Sequence, residues 1–239
     1  MSENKVAVIT GGGTGIGAAT AEELAQTGVK VVVVGRRPDP LAAVAKKIND
    51  YGGVAIAHPA DVTDFAAMED LVKETINKFG KVDLLVANAA VHDVSSIDSG
   101  DPEWWQTLIN INVVGLLFTV RAFLPKMYHQ ESGHILVVSS LSGRVTYVGE
   151  PAYVASKHAQ VAFTDCLRKE ATPKGIKVSI IEPGIVDTPM ISNPFADDLK
   201  KTVLPLDPFD VARAIRFVFE QPPNCTIYEI SMRPLKQLL

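Results

Sequence analysis

Runs of branched apolar residues recur along the chain, with amphipathic stretches between them. The run 5–10 (Lys-Val-Ala-Val-Ile-Thr) leads into a cluster of glycines, and the Ala- and Glu-rich stretch 18–26 predicts a helix closed by Gly28. Four consecutive valines at 31–34 predict a buried strand. Residues 41–51 then predict a helix, 54–57 a strand, 64–79 a helix capped by Thr63 and stopped at Gly80, and 84–86 a strand. A long helical stretch covers 102–129, followed by a strand at 134–139, a helix at 152–170, a strand at 177–181, a helix at 209–220 and a last strand at 226–231. Such alternation predicts an α/β fold: a doubly wound parallel sheet of about seven strands with helices on both faces. No repeat or linker-like composition break interrupts it, so 1–239 reads as a single domain. The proline-punctuated stretch 189–208, with a short helical core at 195–202, is expected to form a flap over the strand ends. In a sheet of this kind ligands bind beyond the carboxyl ends of the strands, near the switch in strand order.

Composition narrows the choice. With 239 residues, 47% hydrophobic and 21% charged, the chain can bury a sizeable core. A net charge of -4 gives no basic field for a phosphate polymer, so no nucleic-acid partner is expected. Cys166 and Cys225 have no metal or redox spacing and read as free thiols in a reducing compartment. The apolar run at 6–10 is too short for the core of a signal peptide, and the longest apolar stretch, 113–118, falls far below the roughly 20 residues that span a bilayer. A soluble, cytoplasmic protein without a membrane partner is expected.

The first strand-to-helix turn reads Thr10-Gly11-Gly12-Gly13-Thr14-Gly15-Ile16-Gly17. Glycines there allow a tight turn and let a helix N-terminus approach a pyrophosphate. The generic G-x-G-x-x-G fingerprint is met only loosely, by Gly13, Gly15 and Ala18, so a glycine-rich turn without a ligand competes with this reading. The second strand ends in Gly35-Arg36-Arg37, with no carboxylate to accept from a ribose 2'-hydroxyl. Two guanidiniums suit a 2'-phosphate, which favours NADP over NAD. The competing reading is a pair of solvated arginines, since Asp39 is close and Thr14 adds no third positive charge.

Tyr153 and Lys157 stand four apart in Pro151-Ala-Tyr153-Val-Ala-Ser-Lys157-His158, and that spacing puts both on one helical face. A phenol titrates near 10, so proton exchange near neutrality needs a nearby cation, and lowering it to about 7 takes roughly 4 kcal/mol. Lys157 and the positive ring of an oxidised nicotinamide are expected to share that work. Taken alone, a Tyr-x-x-x-Lys pair is often a surface accident. Thirteen residues before Tyr153, however, comes Ser140, at the end of His134-Ile-Leu-Val-Val-Ser-Ser140.

With these residues the chain resembles the short-chain dehydrogenase/reductase family over nearly its whole length. The Thr-Gly-x-x-x-Gly-x-Gly turn lies at Thr10 to Gly17; Asp61, before Val62, matches the adenine contact; Asn88 stands in Ala87-Asn88-Ala89-Ala90; and Asn112 stands in Ile111-Asn112-Val-Val-Gly115. Ser140, Tyr153 and Lys157 follow, and Pro183-Gly184-Ile185-Val-Asp-Thr188 matches the segment that holds the nicotinamide carboxamide. The resemblance implies a Rossmann-like fold and an NADP-dependent oxidoreductase of the alcohol dehydrogenase or carbonyl reductase type. In it Ser140 binds the substrate oxygen and Tyr153 exchanges its proton. Lys157 binds the nicotinamide ribose while lowering the phenol's pKa, and Asn112 holds a water that links Lys157 to solvent. The family's usual Asn-Asn-Ala-Gly run departs here to Ala87-Asn88-Ala89-Ala90, which implies altered packing under the cofactor. The ending Thr226-Ile-Tyr-Glu-Ile-Ser-Met-Arg-Pro234, closed by Gln237, resembles an NADP-dependent branch acting on small aldehydes, ketones and hydroxy acids. Dimers or tetramers paired through the long helix and the helix of Tyr153 are implied as well.

By position, His92, Leu141, Tyr147, Ile185, Met190, Ile191 and Phe195 are the candidate substrate contacts, mostly apolar as an uncharged carbonyl compound requires. Arg144 reads as a loop arginine satisfied within the protein rather than a carboxylate anchor, and His92 and His158 as structural or solvated. Trp104 and Trp105 read as packing residues, and no metal-ligand spacing appears, so no catalytic metal is expected. An NAD-dependent enzyme of the same family, a non-catalytic dinucleotide sensor, and an epimerase or dehydratase using the same Tyr-Lys pair stay open.

Overall fold

Strand β1 (Val6–Thr10) is buried at every position, as a central parallel strand must be, because helices cover both of its faces. The structure, a computed structural model, describes residues 4–191 and 203–237. Its sheet runs β3-β2-β1-β4-β5-β6-β7, with all six pairings parallel. The further strands are β2 (Lys30–Gly35), β3 (Ala55–Pro59), β4 (Leu84–Ala87), β5 (Gly133–Val138), β6 (Ile176–Pro183) and β7 (Glu229–Met232). The order reverses between β1 and β4, so the crevice beyond Thr10 and Ala87 is the place for a ligand.

Helices α1 (Gly15–Ala25), α2 (Pro38–Asp50) and α7 (Pro208–Phe219) cover one face; Leu24, Leu41, Ile48, Val211 and Ile215 bury against Val31, Val33 and Ile9. Helices α3 (Phe65–Phe79), α5 (Gly115–Gln130) and α6 (Pro151–Ala171) cover the other, with Met68, Leu71, Phe123, Met127 and Leu167 packed on Val32, Leu85 and Val178. Helix α4 (Pro102–Ile109) joins α5 through a π-helical turn, Asn110–Val114, that the even helical pattern of 102–129 did not reveal. The stretch Pro102–Gln130 is long enough to cross a membrane, and its most apolar 18-residue window has a mean hydropathy of 1.7. Its inner face is nevertheless spent on the core, through Leu108, Leu116, Val120, Phe123 and Met127.

Element ends correct several expectations. Asp64, not Thr63, caps α3 by accepting from the Ala67 N–H at 3.1 Å; Thr63 turns the other way and gives both its N–H and its hydroxyl to Asp61. Helix α2 starts at Pro38 rather than 41, because proline at the first position needs no N–H partner. Strand β7 begins at Glu229, three residues later than the alternation suggests. The helical core expected at 195–202 lies outside the described residues. Both flanks of that stretch are pinned together, since Val186 bridges Leu206 and the Asp187 N–H donates to the Leu206 carbonyl at 2.9 Å.

Candidate active site

The glycine turn holds its shape because there is no room for side chains. A Cβ on Gly17 would lie 2.2 Å from the Gly11 carbonyl oxygen, and Gly11 and Gly15 adopt φ of 66° and 54°, conformations that favour glycine. Beneath the turn, the Thr10 hydroxyl accepts from the Asn88 and Ala89 N–H groups at 3.0 and 3.1 Å. The Asn88 amide donates in turn to the Thr10 carbonyl at 3.0 Å. Strands β1 and β4 are thus locked at the switch point, and Ala90 follows as part of the cleft lining. Thr14 makes no side-chain cap bond, and the first turn of α1 carries no acidic residue. The first N–H groups of α1 therefore have no side-chain cap, as an anion-binding helix start requires.

A cleft of about 220 Å³ runs along these strand ends. Gly11, Gly13, Thr14, Gly15 and Ile16 form its floor, Asp61, Val62, Asn88, Ala89 and Ala90 one wall, and Arg36 and Arg37 one end. Thr188, Pro189 and Met190 close over the other side, with Thr188 against Gly15. Of the expected cofactor residues, Thr10, Gly17, Tyr153, Lys157, Pro183, Gly184 and Ile185 do not line it. Leu41, Ala60, Val91 and Ile111 line it and were missed by the motif reading, since apolar residues that wall a flat ring carry no signature of their own. Arg36 and Arg37 are exposed, and among the described residues neither is engaged by a carboxylate. This cradle, donor-rich at its floor and cationic at one end, fits a nicotinamide dinucleotide.

Ser140, Tyr153 and Lys157 converge at the carboxyl end of β5. Tyr153 and Lys157 are buried, 8% and 2% exposed, with the ammonium 5.5 Å from the phenol ring centre. Ser140 hydrogen-bonds Tyr153 and accepts from the Ser142 N–H at 3.1 Å. Asn112, in the π turn, holds both backbone groups of Val91, accepting from its N–H at 2.8 Å and donating to its carbonyl at 2.9 Å. A π turn is costly and recurs at functional sites; here it aims one amide at the cleft wall. The electrostatics depart from the expectation set by Lys157 alone. Burial drives the Tyr153 phenol above its ordinary value, Ser140 pulls it partly back, and Glu150 adds to the rise. Burial also brings the Lys157 ammonium down to about 7, which weakens it as the cation meant to lower the phenol. The protein's own groups therefore keep Tyr153 neutral, the form that donates a proton.

His92 packs edge-on against Tyr153, 4.5 Å between ring centres, and its Nε2 lies 3.4 Å from Glu150. Leu141 is buried, Tyr147, Ile185 and Ile191 are partly buried, Met190 is 44% exposed, and Phe195 lies outside the described residues. His158 caps the Val154 carbonyl, and Trp105 donates to Asp93 at 3.0 Å, which fixes the loop before α4. Among the described residues no group of three or more His, Cys, Asp and Glu side chains is placed to hold a metal ion.

Arg144 is satisfied within the fold, reaching Glu182 at 2.8 Å and Glu229 at 2.6 Å. Burial, joined by the neighbouring Glu229 carboxyl, pushes the fully buried Glu182 up from 4.5 to about 7 against the pull of Arg144. The folded state holds this proton where the unfolded chain has released it, so stability falls as pH rises from 4.5 to about 7. Glu182→Gln is expected to remove that slope, worth at most about 3 to 4 kcal/mol at 1.36 per pH unit. Thermal unfolding of both proteins across the same range reads it, and parallel slopes would refute the assignment.

The comparisons agree with this geometry. The family model for short chain dehydrogenase matches residues 5–198. An uncharacterised oxidoreductase of Staphylococcus saprophyticus is 41% identical over 234 residues, covering 98% of each chain. A metagenomic short-chain oxidoreductase crystallised with NADP superposes with a TM-score of 0.85 at 28% identity, over 99% of each chain. An alcohol dehydrogenase of the archaeon Thermococcus sibiricus, complexed with 5-hydroxy-NADP, gives 0.88 at 28% identity over 98% of each. Levodione reductase gives 0.90 at 25% identity over 97% of each.

Proposed function

Because the chain belongs to the short-chain dehydrogenase family, we propose that it transfers a hydride between NADP(H) and the carbonyl or secondary alcohol of a small, mostly apolar molecule, with Tyr153 passing the proton. The observation that carries this reading is the buried group Ser140, Tyr153 and Lys157 at the strand ends, beside a cleft whose far end presents Arg36 and Arg37. The glycine floor and the N-terminus of α1 would hold the pyrophosphate, Asp61 the adenine, and Lys157 the nicotinamide ribose. Asp61 already takes two bonds from Thr63 on Oδ1, which fixes its carboxylate and leaves Oδ2 to accept from a ligand.

The dinucleotide, when bound, supplies the hydride and, in its oxidised form, a positive ring. The protein supplies position and the proton. Ser140 would donate to the substrate oxygen and Tyr153 would protonate it as the alcohol forms. A neutral phenol, as burial and Glu150 favour, suits that step directly. Leu141, Tyr147, Ile185 and Met190 suit a substrate with an apolar body, and His92, beside Tyr153, would bound its polar end. The NADP-bound structural relatives support the choice of cofactor. A homo-oligomer paired through the outer face of α5, where Leu117 is 38% exposed, suits the same reading.

The test is NADPH consumption, followed by absorbance, across ketones, aldehydes and keto acids, with NADP reduction across secondary alcohols. Stoichiometric NADPH oxidation with at least one carbonyl compound is expected. Tight NADPH binding with no oxidation across the panel would overturn the reading in favour of a non-catalytic dinucleotide-binding protein.

A further inference from the structure

Helix α6 carries a third buried polar residue on the face of Tyr153 and Lys157. Gln160 stands seven positions after Tyr153 and three after Lys157, so all three lie along one side of the helix. It is 3% exposed, and both ends of its amide are used. Its Oε1 accepts from Lys157 Nζ at 3.1 Å, and its Nε2 donates to the Asn112 backbone carbonyl at 2.7 Å. The other oxygen near the ammonium, the Val138 carbonyl, is more distant at 3.5 Å. A buried ammonium depends on few acceptors, and Gln160 provides the closer one.

The bridge reaches the cleft wall. Asn112 grips Val91 by both backbone groups, Gln160 grips Asn112, and Lys157 ends the series. A primary amide does not readily take up and release protons as a water does, so this contact orients and does not relay. An apolar side chain at 160 would fill the same space near Val62 and Leu116 without the cost of burying an amide.

We infer that Gln160 is a positioning residue for the reaction: it fixes where the Lys157 ammonium sits and how firmly it keeps its proton, and it couples that ammonium to the π turn at Asn112. This inference rests on the proposed reaction only in taking Lys157 as part of its machinery. Burial lowers the proton affinity of Lys157, and among the described residues its ammonium meets the Gln160 and Val138 oxygens rather than a carboxylate. The titratable groups nearby are Tyr153 on the same helix, with Glu150 and His92 acting on Tyr153. A change at residue 160 therefore reads directly on the lysine.

The experiment follows the titration of Lys157 by lysine-selective NMR, with its signal identified by loss in Lys157→Met. Gln160→Met removes both bonds at similar length and is expected to lower the Lys157 midpoint by about one pH unit, a tenfold loss of proton affinity. Gln160→Glu keeps an acceptor and charges it, and is expected to raise the midpoint by at least as much. Where a carbonyl compound is reduced with NADPH, the matching limb of the kcat/KM profile should move in the same opposite directions. A packing role alone would lower stability and activity without moving the midpoints apart. Midpoints unchanged in both variants, with thermal unfolding showing them folded, would overturn the inference. Retained turnover in Tyr153→Phe would instead defeat the proposed reaction and leave the titration result standing.

Discussion

Tyr153→Phe is expected to lower kcat by about a hundredfold to ten-thousandfold, the usual contribution of a positioned general acid. The substitution removes one oxygen and keeps the ring, and the ring is what packs: it is buried and meets His92 edge-on at 4.5 Å. Stability should therefore change little, while Ser140 loses its phenol partner and the substrate oxygen loses its proton donor. Because the phenol is held neutral by burial and by Glu150, the loss should be near its full size at neutral pH in the reduction direction. The substitution leaves the proposed NADPH contacts at the glycine floor and the arginine end untouched, so NADPH affinity should stay within about twofold and the damage should appear in kcat and not in cofactor binding. Steady-state kinetics beside an NADPH titration make the separation. Unchanged turnover would remove Tyr153 from the chemistry.

Much of this site was legible in the chain because its parts are local. Thr10 to Gly17 spells out a strand, a turn that excludes side chains, and a helix start, and the clash a Cβ would make at Gly17 is the physical content of that spelling. Tyr153 and Lys157 lie on one face because a helix puts residues four apart there. What escaped the sequence is non-local. Nothing in Ile111-Asn112-Val-Val announces a π turn, from which Asn112 meets Val91, 21 residues earlier. The partners of Arg144 come from 38 and 85 residues away, so spacing alone could not name the two carboxylates that hold it away from a substrate. The neutral state of Tyr153 reflects burial, which no spacing encodes. Gln160 has no local signature, because its two partners, the Lys157 ammonium and the Asn112 carbonyl, meet it only in the fold.

The cofactor end makes the other large prediction. NADPH and NADH differ only in the 2'-phosphate, so a residue that touches that group changes one substrate's kcat/KM and not the other's. A charge-assisted hydrogen bond is worth about 1.5–3 kcal/mol, so Arg36→Ala should reduce the NADPH-to-NADH ratio of kcat/KM by roughly ten- to a hundred-and-fiftyfold. The double substitution with Arg37→Ala should go further. Both side chains are exposed and without a carboxylate partner among the described residues, so their loss should cost the fold less than about 0.5 kcal/mol. Exposure has a second consequence: the preference should weaken as salt rises in the wild type, since the screening length is about 10 Å at 0.1 M, and should lose that salt dependence in the double variant. Asp39, in the first turn of α2, works against the phosphate, so Asp39→Asn should shift the ratio modestly the other way. A ratio unmoved by Arg36→Ala and Arg37→Ala together would take the 2'-phosphate away from this turn. An initial preference for NADH would do the same, and would leave the two guanidiniums as the solvated surface pair that an acidic chain can equally well carry.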